Sequence, residues 1–225
     1  MDLGGQSVLC RVIERLRRSS KLRDVVVATT NSPKDDLIVE LCNEQSFTVF
    51  RGSENDVLDR YYRAASFHGC DAVVRITSDC PLIDAELVDM VIHEFIEKKA
   101  DYASNVLVRT YPRGLDAEVF TMPALQKSWR MAMQPHQREH VTPFFYEHPK
   151  LFRLASVRGE HDYSHYRWTL DTPDDLHLIR AIYSRFDNRD DFSWRHAIDL
   201  MEQMPELHTI NAHISQKPVQ ESASA

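Results

Sequence analysis

The sequence predicts a single α/β domain built on a mainly parallel sheet flanked by helices. Short runs of β-branched residues alternate with segments whose apolar residues recur every three or four positions, and this alternation is typical of parallel sheets with right-handed crossovers. A chain of 225 residues, 43% of them apolar, can also bury one substantial core. We therefore expect one domain over residues 1–213 and a disordered tail over 214–225, which has little to bury.

The individual elements follow from spacing, capping residues and turn residues. Helical spacing predicts helices at 8–16, 33–41, 57–65, 84–95, 123–129, 138–147, 173–182 and 194–203. Runs of β-branched and aromatic residues predict strands at 25–29, 47–50, 72–77, 102–106, 117–120, 152–157 and 166–170. Two of these helices have well-placed caps, namely Asp84, and Thr172 followed by Pro173 and Asp175.

Composition excludes several classes of protein. The formal net charge of -7 argues against binding to polymeric nucleic acid, which needs clustered Lys and Arg. No apolar run approaches the ~20 residues needed to cross a bilayer. The four cysteines are widely separated, with no Cys-x-x-Cys pair: Cys10, Cys42, Cys70 and Cys80. This spacing indicates neither a zinc cage nor a disulfide framework, and it favours a reducing cytoplasm.

Glycine is scarce, and this limits the kinds of phosphate-binding loop. The chain has six glycines, whereas average usage of about 7% would give more than twice as many. Neither G-x-G-x-x-G nor G-x-x-x-x-G-K-[ST] occurs. The two best-known nucleotide-binding loops are therefore excluded.

Two aspartates, Asp79 and Asp171, each follow a predicted strand directly. Open α/β sheets bind their ligands at the carboxyl ends of the strands, and two carboxylates with waters and substrate phosphates are the usual way to hold Mg²⁺. Strand-end aspartates often only cap the next helix. Here Asp84 and Thr172 suit those capping positions better, so the metal-binding interpretation is favoured over the capping one.

A second candidate metal site is His136-Gln137-Arg138-Glu139-His140, which has the H-x-x-E-H spacing of inverted zinc peptidases. Residues four apart share a helix face, so His136 and His140 could bind zinc with Glu139 between them. Pro135 and Pro143, however, restrict the helix to a short segment. Zinc peptidase is retained as a distant alternative.

The polar loop over residues 110–118 is a third candidate. Arg113 could clamp a carboxylate of a small acidic substrate through two hydrogen bonds. The alternative interpretation is a turn built on Pro112 and Gly114, with the Arg113 side chain in solvent.

Several longer motifs occur in a fixed order along the chain, at residues 25–30, 50–53, 56–61, 74–84, 111–120, 138–143 and 167–176. Together they resemble the cytidylyltransferase-like family that includes spore coat polysaccharide biosynthesis protein F and is related to CMP-Kdo synthetases. The resemblance extends to about residue 183. It implies a Rossmann-like nucleotide-diphospho-sugar transferase fold.

The resemblance also implies a reaction and a set of site residues. A hydroxyl group of a sugar or sugar acid would attack the α-phosphorus of CTP, or of another nucleoside triphosphate, for surface polysaccharide biosynthesis. Mg²⁺ would be held by Asp79 and Asp171, the catalytic pair. The implied nucleotide contacts are Thr29, Thr30 and Arg51. The implied sugar contacts are Arg113, Asp116 and Glu118. Dimers are common among such relatives, so a homodimer is also compatible with the resemblance.

The amino-terminal motif of such relatives is not found in this sequence. They begin with a strand and a Gln-Ala-Arg-x-x-Ser-x-Arg-Leu-Pro-Gly-Lys loop that cradles the triphosphate, whereas residues 1–9 resemble the segment directly after that loop. Because the first strand lies in the middle of this type of sheet, we expect two inner strand edges without a neighbour and a native start upstream of Met1. The alternative function is a non-catalytic remnant that keeps the fold and binds a nucleotide or a partner.

Overall fold

The computed structural model describes residues 1–216. Its strands are β1 (Asp2–Leu3), β2 (Gln6–Ser7), β3 (Val26–Thr30), β4 (Thr48–Gly52), β5 (Ala72–Arg75), β6 (Tyr102–Ser104), β7 (Glu118–Thr121) and β8 (Leu154–Ser156). Its helices are α1 (Val8–Leu16), α2 (Asp36–Glu44), α3 (Val57–Phe67), α4 (Ala85–Glu97), α5 (Met122–Met131), α6 (Pro135–His140), α7 (Pro143–Glu147), α8 (Pro173–Arg185), α9 (Trp194–Gln203) and α10 (Glu206–Thr209). The predicted tail lies outside the described residues from 217 onwards.

The α/β class is confirmed, but the sheet is mixed rather than mainly parallel. The pairs β3·β4 and β6·β8 are parallel, whereas β7 runs antiparallel to both of its neighbours in the order β5-β7-β6-β8. The chain between β6 and β7 forms a loop without a helix, so it returns in the opposite direction and inserts β7 beside β6. Strand order of this kind is not encoded in local periodicity.

Strands β3 to β8 form two separate sheets, the β3·β4 pair and the four-stranded sheet β5-β7-β6-β8. Within residues 1–216, β3 pairs only with β4, and β5 pairs only with β7, which leaves one edge of each strand without a strand partner. The apolar residues Val26, Val27, Val73 and Val74 remain partly exposed, in contrast to the buried residues of β7. Each of the two strands thus has one open edge, and the expectation that these edges lie in the middle of a sheet stays a prediction.

The open edges lead to a prediction for hydrogen exchange. Backbone amides on the open edges of β3 and β5 are expected to exchange with deuterium about tenfold or more faster than those of β7, because edge amides lack a ladder bond. Amide-resolved exchange measured by NMR checks this, with the β5 amides that bond to β7 as an internal control. Equal protection of the two edges of β5 would contradict the open-edge description.

Capping accounts for where two functionally placed helices begin. The Asp84 carboxylate accepts from the backbone amides of Glu86 and Leu87 at the start of α4, and the Thr172 hydroxyl accepts from the Asp175 amide in a capping box at the start of α8. Both predicted caps are confirmed. Asp79 and Asp171 are therefore not needed to begin these helices.

Three predicted elements differ from the structure. The helix expected at 138–147 is two helices, because Val141 adopts a φ of 71° and Pro143 then begins α7. The helix expected from residue 33 begins as a 3₁₀ turn over Pro33–Asp35. The strand expected at 166–170 is an extended segment whose successive residues bond to different neighbours, so no ladder forms: Trp168 N–H donates to the Arg113 carbonyl, and Leu170 N–H donates to the Asp79 carbonyl.

Helix α1 packs with residues of both of these sheets. Val8, Val12 and Leu16 belong to the largest buried cluster, which also contains apolar residues of α4, α8 and α9. Cys10 and Ile13, on another face of α1, pack with α2 and the β3·β4 pair. No helix of the described part is long and apolar enough to cross a membrane. The single domain over 1–213 stays a prediction.

Candidate active site

Asp79 and the segment that ends at Asp171 lie side by side. The chain leaves β5, and the Asp79 carbonyl accepts from Leu170 N–H at 2.9 Å. The Asp79 Oδ2 atom accepts from the Thr169 hydroxyl at 3.0 Å. Asp79 is partly buried and Asp171, the residue after Leu170, is exposed. The segments that carry the two aspartates named from the sequence are thus adjacent in the structure.

Asp171 is held by Arg167, which in turn is held by Asp175. Arg167 Nη2 contacts Asp171 Oδ2 at 2.5 Å, and the same guanidinium contacts both oxygens of Asp175 at 2.9 and 3.0 Å. Burial alone raises the pKa of the fully buried Asp175, but hydrogen bonds from Arg167, Asn211 and the Asp171 amide outweigh burial and lower it. Asp175 is therefore a buried anion that fixes the position of Arg167.

The chemistry of the donor set fits a magnesium ion. Within residues 1–216, Asp171 Oδ1 accepts no hydrogen bond, and Asp79 Oδ1 has only the weak thiol donor of Cys80 at 3.4 Å. Mg²⁺ is usually held by one or two carboxylates together with waters and substrate phosphates, so two available oxygens suit it. The described residues contain no group of three or more His, Cys, Asp or Glu placed to hold a metal. Any further ligands would come from solvent and substrate.

The Cys80 thiol is not a candidate ligand or nucleophile. Burial, and then the neighbouring Asp79 and Asp116 carboxylates, raise the pKa of Cys80 well above its ordinary value. The thiol therefore stays protonated at neutral pH.

Arg113 and Asp116 lie on the loop that faces this segment. Asp116 forms a two-point ion pair with Arg109, at 2.6 and 2.8 Å. Arg113 N–H donates to the Tyr166 carbonyl at 3.0 Å, and burial, together with the nearby Arg109, lowers the pKa of its guanidinium. Within the described chain the Arg113 guanidinium has no salt bridge to an acidic side chain, unlike those of Arg109 and Arg167.

Gly114 explains how this loop packs so closely. Its φ is +95°, and a Cβ atom there would lie 2.5 Å from the Trp168 backbone. Only glycine meets both conditions without strain. The turn anticipated at Pro112 and Gly114 is therefore real, and it directs the Arg113 backbone against residues 166–168.

Glu118 has a different environment from the other predicted sugar contacts. It lies on β7 with 4% exposure, where it accepts from Arg75 Nη1 at 2.5 Å and from the Tyr102 hydroxyl at 2.6 Å. Burial, and then the Glu118 carboxylate, raise the pKa of Tyr102, so Tyr102 stays a donor. In this structure the Glu118 carboxylate is paired with Arg75 and Tyr102. Its contact with a sugar stays a prediction.

The three predicted nucleotide contacts form a second cluster, at the carboxyl ends of β3 and β4. The hydroxyls of Thr29 and Thr30 donate to Asp35 Oδ2 at 2.8 and 2.6 Å, and they lower the pKa of Asp35. Arg51 donates to the Thr30 carbonyl at 2.9 Å and pairs with Asp36 at 2.8 Å. The hydroxyl oxygens keep lone pairs that can accept from a ligand.

The histidine motif does not form a cluster suited to zinc. The His136 ring nitrogen Nε2 contacts Glu147 Oε1 at 2.8 Å, and α6, which carries both histidines, is only six residues long. His140 is partly buried and Glu139 is exposed. The described part of the chain has no three-ligand group that includes them.

Several residues that shape the site were not singled out from the sequence. Arg109 lies just before the loop named from the sequence, and its pairing with Asp116, seven residues on, is set by the conformation of that loop. Arg167 lies at the start of the motif 167–176, but the sequence assigns it no role of its own. Asn211 carries no local signal, because its partners Arg167 and Asp175 are 44 and 36 residues away. Asp35 contacts Thr29 and Thr30, only six and five residues away.

The amino-acid sequence matches the cytidylyltransferase family over residues 1–208, which is almost the whole described chain. The chain belongs to the cytidylyltransferase family. It is therefore a nucleotidyltransferase, and the resemblance inferred from its motifs is confirmed. The zinc peptidase alternative has no support from this match.

Two curated relatives agree with this membership. An uncharacterized protein of Methanocaldococcus jannaschii is 40% identical over 227 aligned positions, which cover 98% of this chain and 90% of the relative. The spore coat polysaccharide biosynthesis protein SpsF of Bacillus subtilis is 32% identical over 214 positions, covering 92% of this chain and 88% of the relative.

Two solved structures share the fold. A cytidylyltransferase from Leptospira borgpetersenii superposes with a TM-score of 0.89 at 32% identity, covering 97% of this chain and 91% of that one. A CMP:2-keto-3-deoxy-manno-octonic acid synthetase complexed with CTP has a TM-score of 0.63 at 15% identity, covering 83% and 91%. At that identity the second likeness shows the fold alone.

Proposed function

We propose that this cytidylyltransferase family member uses CTP and Mg²⁺ to activate a sugar or sugar acid. The observation that carries the proposal is the Leu170 to Asp79 hydrogen bond of 2.9 Å, which brings the segments that carry Asp79 and Asp171 side by side. The names of the CTP-bound synthetase and of the Bacillus subtilis polysaccharide protein support the choice of CTP and of a sugar destined for a surface polysaccharide.

In the proposed reaction, a sugar hydroxyl attacks the α-phosphorus of CTP and pyrophosphate leaves. Such a transfer depends on positioning and charge neutralisation more than on covalent help from the protein. A bound Mg²⁺ supplies a positive charge that stabilises the phosphate oxygens. Asp79 and Asp171 are the residues that would hold it, each through the oxygen that its protein partner leaves available.

The remaining residues have positioning roles in this proposal. Thr29, Thr30 and Arg51 contact the base or ribose, because they form the polar cluster at the ends of β3 and β4. Arg113 contacts the sugar, and Asp116 lies beside it on the same loop, oriented by its two hydrogen bonds to Arg109. A free guanidinium at Arg113 suits an anionic group, which a sugar acid would provide.

Titration calorimetry with Mg²⁺ and CTP tests the proposal. Saturable binding of CTP, with weaker binding of ATP, is the expected result. Arg51→Met should weaken CTP binding about tenfold through the loss of charged contacts. Arg195→Met, an exposed arginine on α9, is the matched control and should leave binding unchanged. No CTP binding at millimolar concentration would reject CTP as the substrate.

A further inference from the structure

The segment 211–216, here called the strap, contacts Arg167 and Asp175, the residues that hold Asp171. Asn211 Nδ2 donates to the Arg167 carbonyl at 2.9 Å and to Asp175 Oδ1 at 2.8 Å. At the other end, Gln216 Oε1 accepts from Arg167 Nη1 at 2.6 Å. The strap follows residue 208, where the family match ends, so nothing in that match assigns it a role.

Asn211 contributes to the stability of a buried carboxylate. Asp175 has no exposed surface and Asn211 has 1%. A carboxylate in such a place needs donors around it. Asp175 receives them from the Arg167 guanidinium, the backbone amides of Asp171 and Thr172, and the Asn211 amide group. Asn211 and Arg167 are the side chains of the described part that provide them.

Gln216 completes the set of partners that surround Arg167. The Nε and Nη2 atoms face Asp175, Nη1 faces Gln216, and Nη2 also contacts Asp171 Oδ2. A guanidinium held on these sides has little freedom to rotate, because its donors form a planar, rigid fork. The direction in which Arg167 presents Nη2 to Asp171 therefore depends on both ends of the strap.

We infer that the strap is a positioning element of the active site, which orients Asp171 for metal binding through Arg167 and Asp175. This inference rests on the proposed function, since it assigns Asp171 to the metal. Replacing a residue that supports a metal ligand by hydrogen bonding typically changes metal affinity or activity by about 10- to 100-fold. The strap would thus affect the site without touching the metal or the substrate.

Mn²⁺ binding, measured by electron paramagnetic resonance in the presence of CTP, tests the inference without requiring turnover. Asn211→Ala is expected to weaken Mn²⁺ binding about tenfold. Gln216→Ala is expected to weaken it about threefold, as the loss of one hydrogen bond would. Gln216 is exposed, so this second variant tests the inference even if Asn211→Ala fails to fold. Gln203→Ala, at an exposed glutamine that ends α9, is the matched control and should bind Mn²⁺ like the unchanged chain.

Turnover and melting measurements separate a positioning role from a purely structural one. A positioning role predicts that the Mg²⁺ concentration for half-maximal activity rises in both variants by more than kcat falls. Variants that melt earlier but bind Mn²⁺ like the unchanged chain would overturn the inference. If the unchanged chain binds no Mn²⁺ with CTP, the proposed function fails and the strap's role fails with it. If Asp79→Asn abolishes Mn²⁺ binding but both strap variants bind normally, only the strap inference is overturned.

Discussion

Asp79→Asn is expected to lower Mg²⁺-dependent cytidylyl transfer by about a thousandfold, a loss of about 4 kcal/mol of transition-state stabilisation. The amide keeps an oxygen that can accept from the Thr169 hydroxyl, so the local fold should be retained while the charge that attracts the metal is lost. Pyrophosphate release at saturating CTP and varied Mg²⁺ measures the effect.

The control for this experiment is Asp199→Asn, which removes one negative charge from an exposed position on α9. It should leave both turnover and the Mg²⁺ dependence unchanged. An Asp79→Asn protein with normal activity at every Mg²⁺ concentration would refute the assignment of Asp79 to the metal.

Glu118→Ala is expected to reduce the free energy of unfolding by about 3–5 kcal/mol, because it leaves a buried guanidinium without its counter-ion. The side chain of Glu118 is 5% exposed and that of Arg75 is 17% exposed, so water cannot replace the lost partner well. The Tyr102 hydroxyl would lose its acceptor as well. Urea unfolding followed by circular dichroism measures the change.

A double-mutant cycle with Arg75→Ala isolates the pair energy. The double variant should be less destabilised than the sum of the single variants, because it leaves no buried charge unpaired. Stability that is unaffected in Glu118→Ala, combined with a raised KM for the sugar, would instead support the substrate-binding role predicted from the sequence. A structural role for Glu118 thus predicts a lower free energy of unfolding in Glu118→Ala, whereas a sugar-binding role predicts a raised KM.

Short-range signals account for the parts of the fold that sequence reasoning predicted correctly. Asp84 and Thr172 cap α4 and α8, each through backbone amides two or three residues ahead, so the capping pattern is complete within a few positions. Strand β5 lies within the run predicted at 72–77, although it ends two residues earlier, at Arg75. The order of motifs that identifies the cytidylyltransferase family is also a property of the linear sequence.

Predictions that depended on pairing between distant segments were less successful. The segment 166–170 has the composition of a strand, but its neighbours are the Arg113 loop and then Asp79, so it forms no continuous ladder. Glu118 follows a polar loop in the sequence, yet its position on β7 turns its carboxylate towards Arg75 on β5 and buries it. Which strand lies beside β7 cannot be read from residues near Glu118.

The sequence by itself determined the α/β class, the family, the starts of the helices at Asp84 and Thr172, and the two aspartates proposed to bind metal. Only the tertiary structure decided that β7 runs antiparallel to its neighbours and that Glu118 is buried. It also decided that Asn211 and Gln216 contact the residues that hold Asp171. The physical reason is that caps and periodicity involve neighbouring residues, whereas the site is assembled by hydrogen bonds between residues far apart in the chain. Thr169 and Asp79, for example, are 90 residues apart, and Gln216 is 49 residues from Arg167.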